Sequence, residues 1–183
     1  LSLAGTTFSA GSVTTKLGND SINYNNTTGV VTWNGQKLNL TGIGNPATDD
    51  MTFQKAGAYI NVYKGSDSYR LNLVDGSQVK DANGDVMAAS RTLSSTEGAL
   101  FINKTSNGTG GDGDDVIINT LANATIDGGK GKDKIFNFAT SVTSITGGEG
   151  ENYIYTVGLT AGTITTGTDT AGSNLKIVGN MTG

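Results

Sequence analysis

The chain has 183 residues, enough for one or two small domains, with 28 glycines, one proline and 35% hydrophobic residues. It contains no cysteine and no histidine, which excludes disulfides, thiolate nucleophiles, zinc–thiolate centres and the commonest general base. The net charge of −4 is concentrated: Gly110 to Tyr155 carries seven acids and three lysines, and the rest of the chain nine charges of each sign. Such a cluster argues against nucleic acid and anionic membranes as partners and suits a hard cation.

Abundant Thr favours strands, and abundant Gly and Asn serve tight turns, so the expected class is all-β with many short strands and a narrow core. No apolar run approaches the roughly 18 residues of a membrane helix, and no membrane insertion is expected. Starting at Leu1 without a leader pattern, the sequence reads as a piece of a longer chain.

In chain order, the first candidate element is "LGNDSINYNNTTGVVT", Leu17 to Thr32, whose Gly-x-Asp-x-Ile core suggests a degenerate rung of the glycine-rich repeat in the C-terminal half. From Trp33 to Ser90 the periodicity fades. Alternation in "AYINVYKGSDSYRLNLVDG" predicts a hairpin, Tyr59–Tyr63 with Tyr69–Val74, turning at Gly65-Ser66-Asp67. Further turns are expected at Asp75-Gly76 and Asn83-Gly84. Residues 1–92 thus read as a β-rich segment of hairpins, packed on or inserted into a repeat domain formed by residues 93–183.

The repeat domain is built on one frame. "GGDGDDVII" (Gly110–Ile118) returns as "GGKGKDKIF" (Gly128–Phe136) and "GGEGENYIY" (Gly147–Tyr155), a period of 18 or 19 residues. Each unit holds a glycine loop, a short apolar strand, a polar turn and a second strand. Ile117, Ile135 and Ile154 form one column, and Ile126, Ile145 and Ile164 another. A single turn cannot bury its isoleucines, whereas stacked turns bury them against one another. Two strands per turn predict a right-handed parallel β-roll or β-solenoid. "STEGALFIN" (Ser95–Asn103) reads as an earlier, degenerate rung, and "GTDTAGSNLKIVG" (Gly167–Gly179) as a later one with a strand near Leu175–Val178.

The frame G-G-x-G-x-D-x-U-x resembles the nonapeptide of RTX, hemolysin-type calcium-binding β-roll proteins. Two loops match it fully; the third departs at Asn152, where Asp is expected. The chemistry is coherent, because calcium takes six to eight oxygens, glycines turn the backbone to present carbonyls, and stacked loops lie about 4.8 Å apart. The resemblance implies Ca2+ as cofactor and, as ligands, Gly111, Gly113 and Asp115, then Gly129, Gly131 and Asp133, then Gly148, Gly150 and Asn152. It also implies a bacterial secreted or cell-surface protein that folds in extracellular calcium. The role expected is that of a presenting module in adhesion or surface assembly, with neighbouring modules or surface glycans as partners. One departure is that the alternate nonapeptides lack the glycine frame, so calcium would occupy one edge only.

Other readings stand beside this one. The third loop position runs Asp112, Lys130, Glu149 and the fifth Asp114, Lys132, Glu151, so alternating charge alone could hold a metal-free solenoid. A carbohydrate-binding adhesin module would use Trp33, Tyr59, Tyr63, Tyr69 and Tyr153 as a platform, and a secretion-related tail of an exported toxin or enzyme would share the repeat. "DANGD" (Asp81–Asp85) opens like an EF-hand loop but has Gly in the wrong place, and reads as a turn. The column Thr125, Ser144, Thr163, beside Asp127, Thr146, Thr165, would make a small hydroxyl array. Catalysis is not expected, since most nucleophile–base pairings need His or Cys.

Overall fold

A computed structural model describes residues 3–9, 11–168 and 173–178. Among them there is no helix, and the protein is all-β with a parallel solenoid in its C-terminal half. Five strands open the chain: β1 (Thr7–Ser9), β2 (Ser12–Leu17), β3 (Asp20–Asn25), β4 (Val31–Trp33) and β5 (Gln36–Lys37). They form an antiparallel meander in sequence order. Leu17–Thr32, expected as a solenoid rung, is instead the hairpin partner of β2, with Ile22 opposite Thr15 and Trp33. Its Gly-x-Asp marks the tight β2–β3 turn at Gly18-Asn19, not a stacked loop.

Three strands come next, β6 (Met51–Ala56), β7 (Tyr59–Lys64) and β8 (Asp67–Asn72), paired antiparallel. The expected hairpin is present, with its turn at Gly65-Ser66 between Lys64 and Asp67. Asp81 closes the predicted Asn83-Gly84 turn, its Oδ1 accepting the N–H groups of Asn83 (2.8 Å) and Asp85 (3.0 Å).

Among the described residues the solenoid has four turns, each contributing one strand to each of two sheets. They are β9 (Leu100–Asn103) with β10 (Gly108–Thr109), β11 (Val116–Asn119) with β12 (Ala124–Asp127), β13 (Lys134–Asn137) with β14 (Ser141–Thr146), and β15 (Tyr153–Val157) with β16 (Ala161–Thr165). A last strand, β17 (Asn174–Val178), lies parallel to β15. The earlier degenerate rung is thus present, β9 pairing with β11 in the register Leu100↔Val116 to Asn103↔Asn119. The later one is represented by its expected strand, β17, while its residues 169–172 and 179 lie outside the described residues.

The two halves share one sheet. Its order is β17-β15-β13-β11-β9-β6-β7-β8, parallel through the solenoid and antiparallel from β9 to β6, where Met51 faces Ile102 and Phe53 faces Leu100. The β-rich segment is thus packed on the solenoid and continuous with it. The solenoid strands of this sheet are covered on both faces, which explains why β11 reads as the apolar run Val116-Ile117-Ile118 where an alternation would mark a half-exposed strand such as β8. Ile117, Ile135 and Ile154 point into the solenoid against Ile126, Ile145 and Val142. Ile102, Ile118, Phe136 and Tyr155 point the other way, into a core shared with Val13, Ile22, Tyr24, Val31 and Trp33 of the meander. Phe136 stacks on Tyr155 with ring centroids 5.0 Å apart, and Phe8 of β1 meets both rings.

This second core gives a direct expectation. Phe136→Ala removes a fully buried ring at the junction of meander and solenoid and should cost about 3–5 kcal/mol. Denaturant unfolding should show one lowered transition reported equally by both halves, because they share this core.

Candidate metal centre at the glycine-loop edge

The loops stack as the repeat predicts, and the packing explains the glycines without reference to any ligand. A Cβ on Gly128 would fall 2.2 Å from the carbonyl oxygen of Gly147 in the next loop. Gly131, at φ +106°, occupies backbone space that other residues rarely enter, and its own Cβ would meet Gly113 O at 2.5 Å. Loop-to-loop hydrogen bonds accompany this contact. Lys130 N–H donates to Gly111 O (3.0 Å), Glu149 N–H to Gly129 O (2.8 Å) and Thr168 N–H to Gly148 O (3.1 Å). With Gly150 O, which accepts from Asn152 Nδ2 (3.0 Å), four of the six carbonyls implied as calcium ligands already accept a hydrogen bond.

Asp115, Asp133 and Asn152 sit in one column and are all buried, at 1%, 0% and 0% exposure. Each reaches back to the backbone of the preceding rung. Asp115 Oδ1 accepts the Ala99 N–H (2.9 Å), Asp133 Oδ1 that of Asp115 (2.8 Å), and Asn152 Oδ1 that of Asp133 (2.9 Å). Ser173 Oγ extends the ladder by accepting from Asn152 N–H at 3.1 Å. One side-chain oxygen per rung thus satisfies one buried N–H of the rung before it.

The second oxygens differ from rung to rung. Asp115 Oδ2 accepts the Gly111 N–H at 2.7 Å. At the next level the corresponding Gly129 N–H goes to Asp127 Oδ1 (3.0 Å), and Asp133 Oδ2 is left buried with no hydrogen-bond partner among the described residues. At the third level the amide of Asn152 resolves the problem, its Nδ2 donating to Gly150 O at 3.0 Å. Asn152 is thus fully engaged in protein hydrogen bonds.

Burial pushes the Asp115 carboxyl up to about 6, offset in part by its bonds from Gly111 and Ala99. Burial pushes Asp133 up to about 8, with Asp115, Asp114 and Asp127 adding to the rise. Outside the column the alternating charges close one ion pair each, Lys130–Asp112 at 3.7 Å and Lys132–Glu151 at 3.5 Å. Both are solvent-exposed and contribute about 0–1 kcal/mol. Among the described residues no three acidic side chains converge on a common point, so a cation at this edge would draw on carbonyl oxygens around the unpartnered oxygen of Asp133.

A second ladder lies at the opposite end of the same strands and was not singled out in the sequence. Asn119 Nδ2 donates to Asn137 Oδ1 (2.8 Å), and Asn137 Nδ2 to Thr156 Oγ1 (2.9 Å), while both also bond the turn two residues on. The signal was available: Asn103, Asn119, Asn137 and Thr156 recur at the last aligned position of each strand. The remaining candidates are placed elsewhere. Trp33 is 1% exposed with its Nε1–H on Asp20 Oδ2 (3.1 Å), so it faces the core and not a sugar. Thr125, Ser144 and Thr163 do align across the smaller sheet, as do Asp127, Thr146 and Thr165.

Comparison with protein-family models, with curated proteins and with solved structures found no match for this chain.

The raised carboxyls fix the sign of a pH effect. The folded state holds protons on Asp133 and Asp115 that the unfolded chain releases near the ordinary Asp value. Without added cations, stability should therefore fall as pH rises from about 4 to about 8 and level off above. Asp133→Asn should flatten most of this fall and raise the melting temperature by several degrees at about pH 8.5. In that variant Nδ2 can bond Gly131 O as Asn152 bonds Gly150 O. Thermal melts in chelator across this range check both.

Proposed function

We propose that the chain is the repeat module of a large exported or surface-displayed bacterial protein of the RTX-like kind. It serves as a stiff presenting element in adhesion or surface assembly, with calcium bound at one edge. The observation that carries the metal assignment is the buried Asp133 oxygen without a partner, set among Asp114, Asp115 and Asp127 in a frame with two full matches to the calcium nonapeptide. A carboxylate in this position is relieved either by a proton or by a cation. Asp115 and Asp133, with loop carbonyls from Gly111, Gly113, Gly129 and Gly131, would hold the ion. The level of Gly148, Gly150 and Asn152 would contribute less, because the Asn152 amide is spent on protein hydrogen bonds.

The physical role rests on the fold. A four-turn solenoid whose main sheet continues into β6–β8 and packs on a second sheet resists bending at its start, which suits a stalk or spacer. Calcium would link folding to the extracellular side, since an ion bound only by the folded state stabilises it by mass action. The buried Trp33 weighs against the glycan-platform reading. A metal-free solenoid is the second reading, favoured by the two side-chain ladders, which hold the rungs without an ion.

Calcium titrated calorimetrically into chelator-treated protein should give saturable heat and a rise in melting temperature. At a hundredfold excess over Kd the gain is about 2.7 kcal/mol. Asp133→Asn should abolish both responses while remaining folded. An absence of heat and shift in the wild type at several millimolar calcium would leave the metal-free reading.

A further inference from the structure

Where the meander meets the first solenoid turn, an amine and a carboxamide are held in contact. Lys104, immediately after β9, directs its Nζ at Asn26 Oδ1, 2.6 Å away, and Asn26 comes directly after β3. Both ends are fixed by their backbones. The Asn26 N–H donates to Gly11 O (2.8 Å). Asp50 clamps the turn carrying Lys104, its Oδ1 accepting the N–H groups of Lys104 (2.5 Å) and Thr105 (2.8 Å) and its Oδ2 the hydroxyls of Thr105 and Ser106. Tyr24, fully buried, lies beneath: its ring centroid is 5.4 Å from Nζ, and its hydroxyl, which donates to Pro46 O at 2.8 Å, is 3.4 Å from Asn26 Oδ1.

We propose that Lys104 and Asn26 form an intramolecular isopeptide bond that ties the N-terminal meander covalently to the solenoid. The Nζ lone pair of the neutral amine adds to Asn26 Cγ, and the Tyr24 hydroxyl, turning its one proton from Pro46 O to Asn26 Oδ1, donates to the oxygen that takes up negative charge. A proton passes from Nζ to Nδ2, the Cγ–Nδ2 bond breaks, and its electron pair departs with ammonia. Amine and primary amide give secondary amide and ammonia; nothing is oxidised or reduced, and no co-reactant is needed.

Three features favour the reaction. The amine already hydrogen-bonds the carboxamide oxygen, one bond from the carbon it would attack, which replaces a bimolecular encounter by a fixed geometry. Burial lowers the Lys104 ammonium to about 8, so a substantial neutral fraction exists near neutral pH. Among the described residues no carboxylate pairs with Nζ to hold its proton. Asp50 is a positioning residue: hydrogen bonds hold its carboxyl below the usual range despite its burial, and it touches the Lys104 backbone rather than the reacting atoms.

The test is the intact mass of the denatured full-length chain after incubation in the folded state, with peptide mapping of the product. The expected result is a mass lower by one ammonia and a branched peptide joining the segments that contain Asn26 and Lys104. Lys104→Arg, which keeps a donor on Asn26 Oδ1, should restore the full sequence mass, and Tyr24→Phe should slow formation at least tenfold. A wild-type chain of unaltered mass overturns the proposal. So does an ammonia loss that persists in Lys104→Arg, which would place the loss at a succinimide of Asn34-Gly35, Asn83-Gly84 or Asn107-Gly108.

Discussion

The structure depends on satisfying polar groups that stacking buries. In a parallel solenoid the strands hydrogen-bond their neighbours, but the loops that reverse the chain carry backbone N–H groups into the interior at both edges of every rung. Each unsatisfied one costs about 1–3 kcal/mol. This chain answers at the glycine loops with one side chain per rung, Asp115, Asp133, Asn152 and Ser173. At the far end Asn119 and Asn137 accept the N–H groups of Leu121 and Ala139 and bond onward to Asn137 and Thr156. The bonds cross from rung to rung, so they also fix register. A slip by one residue would strand every member of both ladders.

The same geometry sets the chemistry of the site. A carboxylate is a good acceptor for a single buried N–H, but it brings a charge and a second oxygen. Asp115 can use both oxygens, and Asn152 avoids the charge. Asp133 does neither and is the one incomplete rung of the glycine-loop ladder among the described residues; at the far end Asn103 Nδ2 is also buried without a hydrogen-bond partner. The calcium proposed for this edge would thereby be needed at one level of the stack and not along its whole length, and the glycines remain necessary whether or not an ion is bound.

Much of this was legible in the sequence because the period is short and strict. The glycine frame, both isoleucine columns and the drifted rungs at Ser95 and Leu175 all come from spacing, and the structure places them in register. Leu17–Thr32 misled because Gly-x-Asp-x-Ile serves an antiparallel turn as well as a stacked loop, and one copy carries no period to separate the two. The second core escaped because Ile118, Phe136 and Tyr155 become interior only when the meander covers them, a long-range fact that no local pattern contains. The sense of the Asp column was also hidden: spacing aligns Asp115 with Asp133 but does not say that each carboxylate turns inward to the preceding rung's N–H.

The most direct measurement of this account is residue-resolved amide hydrogen exchange in chelator. The amides of Ala99, Asp115 and Asp133, each bonded to a side chain of the next rung, should exchange only through global unfolding, as slowly as those of Ile117 and Ile135. Exchange of these three as fast as the exposed amides of the loop tips would contradict the claim that buried side-chain ladders hold the rungs together.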